Sequence, residues 1–354
     1  MITDLRLQHF RSYTDDSFEL TPGVNIIVGP NASGKTNLLE AVLVLARGNS
    51  YRARDVDLVQ FKKPWARLDA HLANDTQRTL KLTLEPLPSK SFEVDNKVYK
   101  RLSLQQSLPV VLFEPNHLQL LTGSPELRRN YLDDLLEQTQ PGYGTLRRQY
   151  KRILAQRNAL LKRHQAASAQ LFPWDVRLSQ LAGQIVRARV GLAETINKQL
   201  SKLYKDLSRS KTRVSITYES PWPSDNYETQ LLKKLEASAD LDVARGFTGS
   251  GPHREDLTVL FNTYPASETA SRGETRTLVL ALKILELQTI EAVRAQTPLL
   301  LLDDVFSELD GARRRALTEH LAPYQTFITT TDADIVLQHF TDHCNVIPLG
   351  ATIR

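Results

Sequence analysis

"VNIIVGPNASGKTNLLEAVLVLAR", residues 24–47, decides the reading of this chain. Val24 to Val28 has the look of a short buried strand, and from Lys35 to about Arg47 apolar residues recur at helical spacing. Between them Gly29 to Thr36 fit G-x-x-x-x-G-K-[ST], in the strand–loop–helix context that this phosphate-loop pattern requires. Gly29 and Gly34 permit torsions and close approaches that a side chain would block, so the backbone of Pro30, Asn31, Ala32 and Ser33 can wrap phosphates. Lys35 then reaches the β- and γ-phosphates, the Thr36 hydroxyl holds Mg²⁺, and the helix N-terminus adds partial positive charge.

Such a loop calls for a second strand that ends in acid, and "PLLLLDDVFSELD", residues 298–310, supplies it. Leu299 to Leu302 suit a central parallel strand. Asp303 is then placed for the Mg²⁺ shell, and Asp304 to orient or deprotonate an attacking water.

Composition narrows the class. With 354 residues the chain has room for two domains, and 41% apolar with 24% charged residues is ordinary for a globular protein. A net charge of +5 and a pI near 9.2 favour a polyanionic partner where the basic residues cluster. Cys344 is the one cysteine, which excludes an internal disulfide and a multi-cysteine metal site. The opening "MITDLRLQHFRSY" carries charges where a secretory signal would be apolar, and no run approaches the roughly 20 apolar residues of a membrane span. The expectation is a cytoplasmic protein without a membrane partner.

Outward from the loop, Ile2, Leu5, Leu7 and Phe10 alternate with polar residues as in a strand, and several β-like runs lie between Leu68 and Val111. At Ser124 and Pro125 the character changes: a cap and first turn open a block that stays helical in pattern to about Leu207. Leu146, Tyr150, Ile153, Arg157 and Leu160 mark one arm. Leu178, Leu181, Ile185, Leu192, Ile196, Leu200 and Leu203 mark a second, and "AQLFPW" with Pro173 is expected to separate them. The arms predict an antiparallel hairpin, each roughly 35 to 50 Å long at 1.5 Å per residue. "RVSITYES" and "DLTVLF" return to strand, Thr277 to Arg294 to helix, and "QTFITTT" with a short helix closes the chain. The expected division is a nucleotide-binding core at 1–120 and 211–354, interrupted by a helical lobe at 121–210.

"ASRGE", residues 270–274, precedes a helix some 30 residues upstream of the acidic strand. Together with the loop G-x-N-x-S-G-K-T-N, including Asn31 and Asn37, and with "SELD" at 307–310, it resembles the ABC-type ATPases, and among them the SMC-related heads. "PNHLQLLTGSPELRRNYLD", "YKRILAQRNALLK" and "GPHREDL" narrow the resemblance to the RecF family over nearly the whole chain. The resemblance implies an α/β fold: an ABC-type P-loop ATPase head, a mixed sheet with flanking helices, interrupted by a lobe with a short antiparallel coiled-coil hairpin. It implies ATP and Mg²⁺ as cofactors, and Ser271, Arg272 and Gly273 reaching the ATP held by a second copy. Arg11, in "HFRSY", resembles the arginine by which such heads approach the nucleotide. The activity implied is slow, DNA-stimulated ATP hydrolysis. The partners implied are DNA, both duplex and single-strand/duplex junctions, a homodimer formed on ATP, and RecR and RecO in recombinational gap repair and replication restart. Two alternatives are an ATP-binding transporter subunit, for which the hairpin is too long and basic, and a structural SMC-like ATPase, for which it is too short.

The chain departs from the family pattern at several positions. Glu274 stands in place of Gln, which puts a carboxylate near phosphates unless Arg272 or Arg276 offsets it. Asp304 stands where transporters carry Glu, and "FITTTD" lacks the switch histidine, for which Thr330 or Thr331 would substitute. Ser271 and Glu274 also fit an ordinary capping box. Between Glu137 and Asp175 there is no acidic residue, while Arg147, Arg148, Lys151, Arg152, Arg157, Lys162 and Arg163 follow one another. Arg147, Arg148, Lys151, Arg152 and Arg157 are the expected DNA phosphate contacts. Arg128, Arg129, His253 and Arg254 are left between DNA, nucleotide and structural roles.

Overall fold

The computed structural model describes residues 1–163, 168–340 and 344–350. The chain divides into two compact units, Met1–His117 with Glu286–Arg354, and Leu118–Leu285.

The first unit begins with β1 (Ile2–Phe10), β2 (Tyr13–Glu19), β3 (Val24–Val28), α1 (Lys35–Arg47) and α2 (Asp55–Leu58). It continues with β4 (Trp65–Leu72), β5 (Gln77–Thr83), β6 (Ser89–Val94), β7 (Lys97–Tyr99) and β8 (Val110–Phe113). In β1 the buried residues are Ile2, Leu5, Leu7 and Phe10; a register shift between Ile2 and Asp4 explains why the first step is three residues and not two. β1, β2 and β4 to β7 form an antiparallel sheet in the order β2-β1-β4-β5-β6-β7.

The second unit holds α3 (Pro125–Thr139), α4 (Tyr143–Leu161), α5 (Ser168–Ser208), β9 (Val214–Glu219), α6 (Tyr227–Ala237) and α7 (Ala239–Arg245). β10 (Asp256–Phe261), β11 (Tyr264–Pro265) and α8 (Ala266–Thr269) follow, and α9 (Arg272–Arg294) runs across the boundary in sequence. Ser124 is the N-cap of α3, yet its side chain makes no cap bond. The hairpin is unequal: 19 residues in α4, about 28 Å, and 41 in α5, about 62 Å. Pro173 lies inside α5 and does not separate the arms. It is the sixth residue of that helix.

The small antiparallel sheet β11-β10-β9 belongs to this second unit. The expected core boundary at 211 therefore differs from the observed division. β9 packs on α5 and β10 on α3, and Arg128 donates to Asp256 through Nε and Nη2 at 2.8 Å each. Those long-range ties bind 211–285 to the helices, and sequence order does not report them.

β12 (Leu299–Asp303), α10 (Val305–Glu308), α11 (Gly311–Leu321), β13 (Thr326–Thr330), α12 (Ala333–Leu337) and β14 (Cys344–Pro348) complete the first unit. A parallel sheet runs β14-β3-β13-β12-β8. β14 has no counterpart among the sequence expectations, because an edge strand with one buried residue, Ile347, carries almost no pattern. Leu299 to Asp303 are all buried, as a central parallel strand demands. α1 contacts β8, β12 and β13 of this sheet and β5 of the antiparallel one, which is why Leu38 to Ala46 are buried all round. The register sets Val28 beside Thr330 and Asp303 beside Thr329, so the strand ends that carry the loop and the acids meet at one carboxyl edge.

Candidate nucleotide site and nucleic-acid interface

At that edge the loop turns on Gly34, with φ of 103°. A Cβ there would meet Ser12 Oγ at 3.0 Å and Tyr13 Oη at 3.1 Å; at Gly29 it would meet the Leu349 carbonyl and Ser33 Oγ at 2.6 Å. Tyr13 donates to the Gly34 carbonyl at 3.0 Å and fixes the start of α1. Lys35 donates through Nζ to the Gly29 and Pro30 carbonyls at 2.8 and 3.0 Å, folded back onto its own loop. Ser33 Oγ is buried without a hydrogen-bond partner among the described residues, a polar atom that a phosphate oxygen inside the loop would satisfy.

Thr36 Oγ1 donates to Asp303 Oδ1 at 3.0 Å. Thr329 donates to the same oxygen at 2.8 Å, and Tyr51 to Asp303 Oδ2 at 3.3 Å. One hydroxyl and one carboxylate are the sparse oxygen set that suits Mg²⁺, which takes its other ligands from water and phosphates. Asp304 follows with φ of 52°, its N–H donating to Thr329 Oγ1 at 2.9 Å. Burial raises its carboxyl above the ordinary aspartate value; Lys35 acts against that and Asp303 adds to it. Thr329 thus bridges both acids. Thr330 donates to the Asp332 carbonyl, and Thr331 is exposed.

Beside the loop lies a charged cluster that the sequence did not announce. Glu40 is fully buried on α1 and accepts from Arg11 Nε at 2.8 Å, Arg11 Nη2 at 3.0 Å, Arg52 Nη2 at 2.9 Å and Ser50 Oγ. Burial alone would raise its carboxyl, but these bonds outweigh it and hold Glu40 below the usual range. Arg11, expected at the nucleotide, is committed here to Glu40 and the Asp57 carbonyl. Arg52 also donates to Asn37 Oδ1 at 2.8 Å, while Asn37 donates to Ser12 Oγ. Burial, with the Asp303 charge, pushes the Tyr51 hydroxyl up, so it stays a donor to Asp303. A buried Glu in an apolar helical run, with arginines nearby in sequence, was the available signal.

In the other unit Ser271, Arg272 and Gly273 open α9. Ser271 is exposed, and its backbone N–H and Oγ donate to Glu274 Oε2 at 2.9 and 2.7 Å. The Glu274 N–H donates back to Ser271 Oγ at 3.2 Å, a complete capping box.

The basic stripe on α4 divides in two. Arg157 is fully buried: Nε pairs with Asp175, and Nη1 with Asp242 at 2.8 Å and with Thr248 at 2.9 Å. That corrects its expected role, because a guanidinium enclosed by two carboxylates cannot reach a phosphate. Arg147 is mostly covered as well, paired with Asp133, Asp134 and Glu137 and donating to Asn130. The acids absent from positions 138–174 are supplied by neighbouring segments. Arg148, Lys151 and Arg152 are exposed and pair with no acid among the described residues.

Arg128 and Arg129 serve the lobe, Arg129 donating to the Glu255 carbonyl at 2.7 Å. His253 Nδ1 lies 2.6 Å from Tyr150 Oη, and its Nε2 3.2 Å from the Thr248 carbonyl. Burial first, with the charges of Arg254 and Arg129, pushes His253 down to about 4 despite that carbonyl, so the ring is neutral and accepts from Tyr150. Arg254 lies 4.9 Å over the Phe247 ring.

Comparisons with known proteins agree with this geometry. The profile of the RecF/RecN/SMC N terminal domain matches residues 1–347. The DNA replication and repair protein RecF of Heliobacterium modesticaldum is 37% identical over 342 residues, covering 93% of this chain and 92% of that protein. RecF of Nostoc punctiforme is 39% identical over 342 residues, covering 92% and 91%. Among solved structures, the recombination mediator protein RecF of the RecFOR pathway, in its RecF-ATPrS form, superimposes with a TM-score of 0.85 at 29% identity, covering 94% of this chain and 92% of that one. An SmcHead bound to the C-winged helix domain of ScpA, at 15% identity and a TM-score of 0.53, shares the fold alone. The chain therefore belongs to the RecF family of DNA replication and repair proteins, built on an SMC-like ATPase head.

Proposed function

We propose that this protein is an ATP-dependent DNA-binding protein of recombinational gap repair, in which ATP joins two copies head to head around DNA and slow hydrolysis releases them. The observation that carries the reading is the Thr36–Asp303 hydrogen bond with Lys35 folded into the loop and Asp304 beside it. When bound, ATP with Mg²⁺ supplies the transferable γ-phosphoryl group and the charge that the loop is built to hold. Lys35 exchanges the Gly29 and Pro30 carbonyls for phosphate oxygens, and Thr36 and Asp303 hold the metal. Asp304 orients the attacking water and takes its proton. Ser271 and Arg272, exposed on one copy, and the half-buried Gly273 beside them reach the nucleotide of the other. Arg148, Lys151 and Arg152 contact DNA phosphates, and DNA so bound stimulates turnover. RecR and RecO are the expected protein partners, in the cytoplasm. Among the described residues no helix is long and apolar enough to cross a membrane.

Sedimentation and DNA binding, with and without ATP, test this directly. The wild type is expected to dimerise and bind DNA only with ATP, and Lys35→Met to lose both. A wild type that stays monomeric at saturating ATP would overturn the reading.

A further inference from the structure

A groove of about 340 Å³ lies between α4 and α5, and of its lining only Arg152 has been given a role above. Gln149, Arg152, Ile153 and Gln156 line it from one face of α4, at i, i+3, i+4 and i+7, and Trp174 and Arg177 line it from α5. Its volume lies at the lower end of the range for ligand pockets, about 300–1,000 Å³. The Trp174 ring is only half-buried, and its indole N–H donates to no group among the described residues. Arg152 and Arg177 are exposed at its rim and pair with no acid among the described residues; Arg177 donates only to Gln180 Oε1, at 3.2 Å.

From this juxtaposition we infer that the groove seats one unpaired nucleobase of a DNA strand, stacked on Trp174, with the adjoining phosphates on Arg152 and Arg177. The inference deepens the proposed DNA-binding function and rests on it. Charge chooses the occupant: an aromatic floor rimmed by unneutralised guanidiniums fits a polyanion that carries flat apolar faces. A base inside a duplex has both faces covered, so the floor takes only a base outside the stack. The groove presents apolar side-chain surface and no hydrogen-bonding edge, so the seat distinguishes unpaired from paired and not one sequence from another. Arg148 and Lys151, on the same helix and open to solvent, serve duplex phosphates irrespective of this groove. The hairpin thereby acquires a preference for the single-strand/duplex junction over continuous duplex.

The experiment places 2-aminopurine at successive positions in the single-stranded arm of a partial duplex and compares wild type, Trp174→Phe and Trp174→Ala. In wild type, fluorescence is quenched at one or two positions; Trp174→Phe keeps the quenching, which also certifies a folded lobe, and Trp174→Ala abolishes it. Trp174→Ala weakens partial-duplex binding by about fivefold to a hundredfold and leaves blunt-duplex binding unchanged. Blunt-duplex binding with no quenching at any position overturns the seat alone. So does an equal loss on both DNAs in Trp174→Ala, the result of a merely structural tryptophan or one that serves a protein partner. Absence of binding to either DNA overturns the DNA reading and the seat with it.

Discussion

Asp304 combines two demands in one residue. Its φ of 52° is a conformation that Asp and Asn tolerate better than other side chains, so Asp304→Asn leaves the backbone unstrained while removing the base. The variant is expected to keep an ATP-bound dimer and to lose hydrolysis by about 100-fold or more, read by single-turnover assay. Because burial and Asp303 raise its carboxyl against the pull of Lys35, the proton that disables the base is taken up above the ordinary aspartate range. Hydrolysis in the wild type should therefore fall on acidification before an unperturbed aspartate would titrate, and the pH profile of Asp304→Asn should lack that limb. Glu274 is the other residue with two claims on it. Its carboxylate closes the capping box on Ser271, and it stands where a second copy's phosphates are expected. Glu274→Gln preserves the reciprocal cap and removes the charge, so thermal stability should change by less than about 0.5 kcal/mol. ATP-driven dimerisation, measured by sedimentation, should tighten.

Helix α4 shows how an element can mislead at one-letter resolution. Its cations share a sequence neighbourhood, but α5, α7 and the loop after α7 close over one face and bury Arg157 among Asp175, Asp242 and Thr248. Arg157→Ala leaves two buried carboxylates unpaired and is expected to cost about 3–5 kcal/mol in urea unfolding, an effect on stability and not on DNA contact. Exchanging Arg148, Lys151 and Arg152 for Glu should do the reverse. Stability stays nearly constant, while the slope of log affinity against log salt loses about 0.9 for each phosphate contact removed. β12 is the converse case, an element legible from sequence alone. Leu299 to Leu302 form an uninterrupted apolar run and all are buried, so Leu301→Ala should cost about 2–5 kcal/mol.

At the scale of the molecule, the phosphate loop and Asp303 belong to one unit, and Ser271 to Gly273 open α9 in the other. If the signature of one copy completes the site of its partner, two inactive variants should complement each other. Lys35→Met and Ser271→Arg, each inactive alone, should regain part of the ATPase when mixed, because a heterodimer contains one site with both halves intact. Failure to recover any activity over a titration of the two would count against a composite site.

The sequence by itself determined the loop, the acidic strand, the capping box and the helical block. Each is encoded by residues adjacent in the chain, where glycine torsions, apolar periodicity and reciprocal caps act over a few positions. Only the tertiary structure decided which cations are free, that Arg11 is committed to Glu40, and that Thr329 bridges the acids. It also decided that 211–285 packs with the helices and that an edge strand ends the parallel sheet. Those outcomes depend on charges and hydrogen-bonding groups brought together from distant segments. A buried ion pair is written in two places in the chain, and neither place says that the other is near.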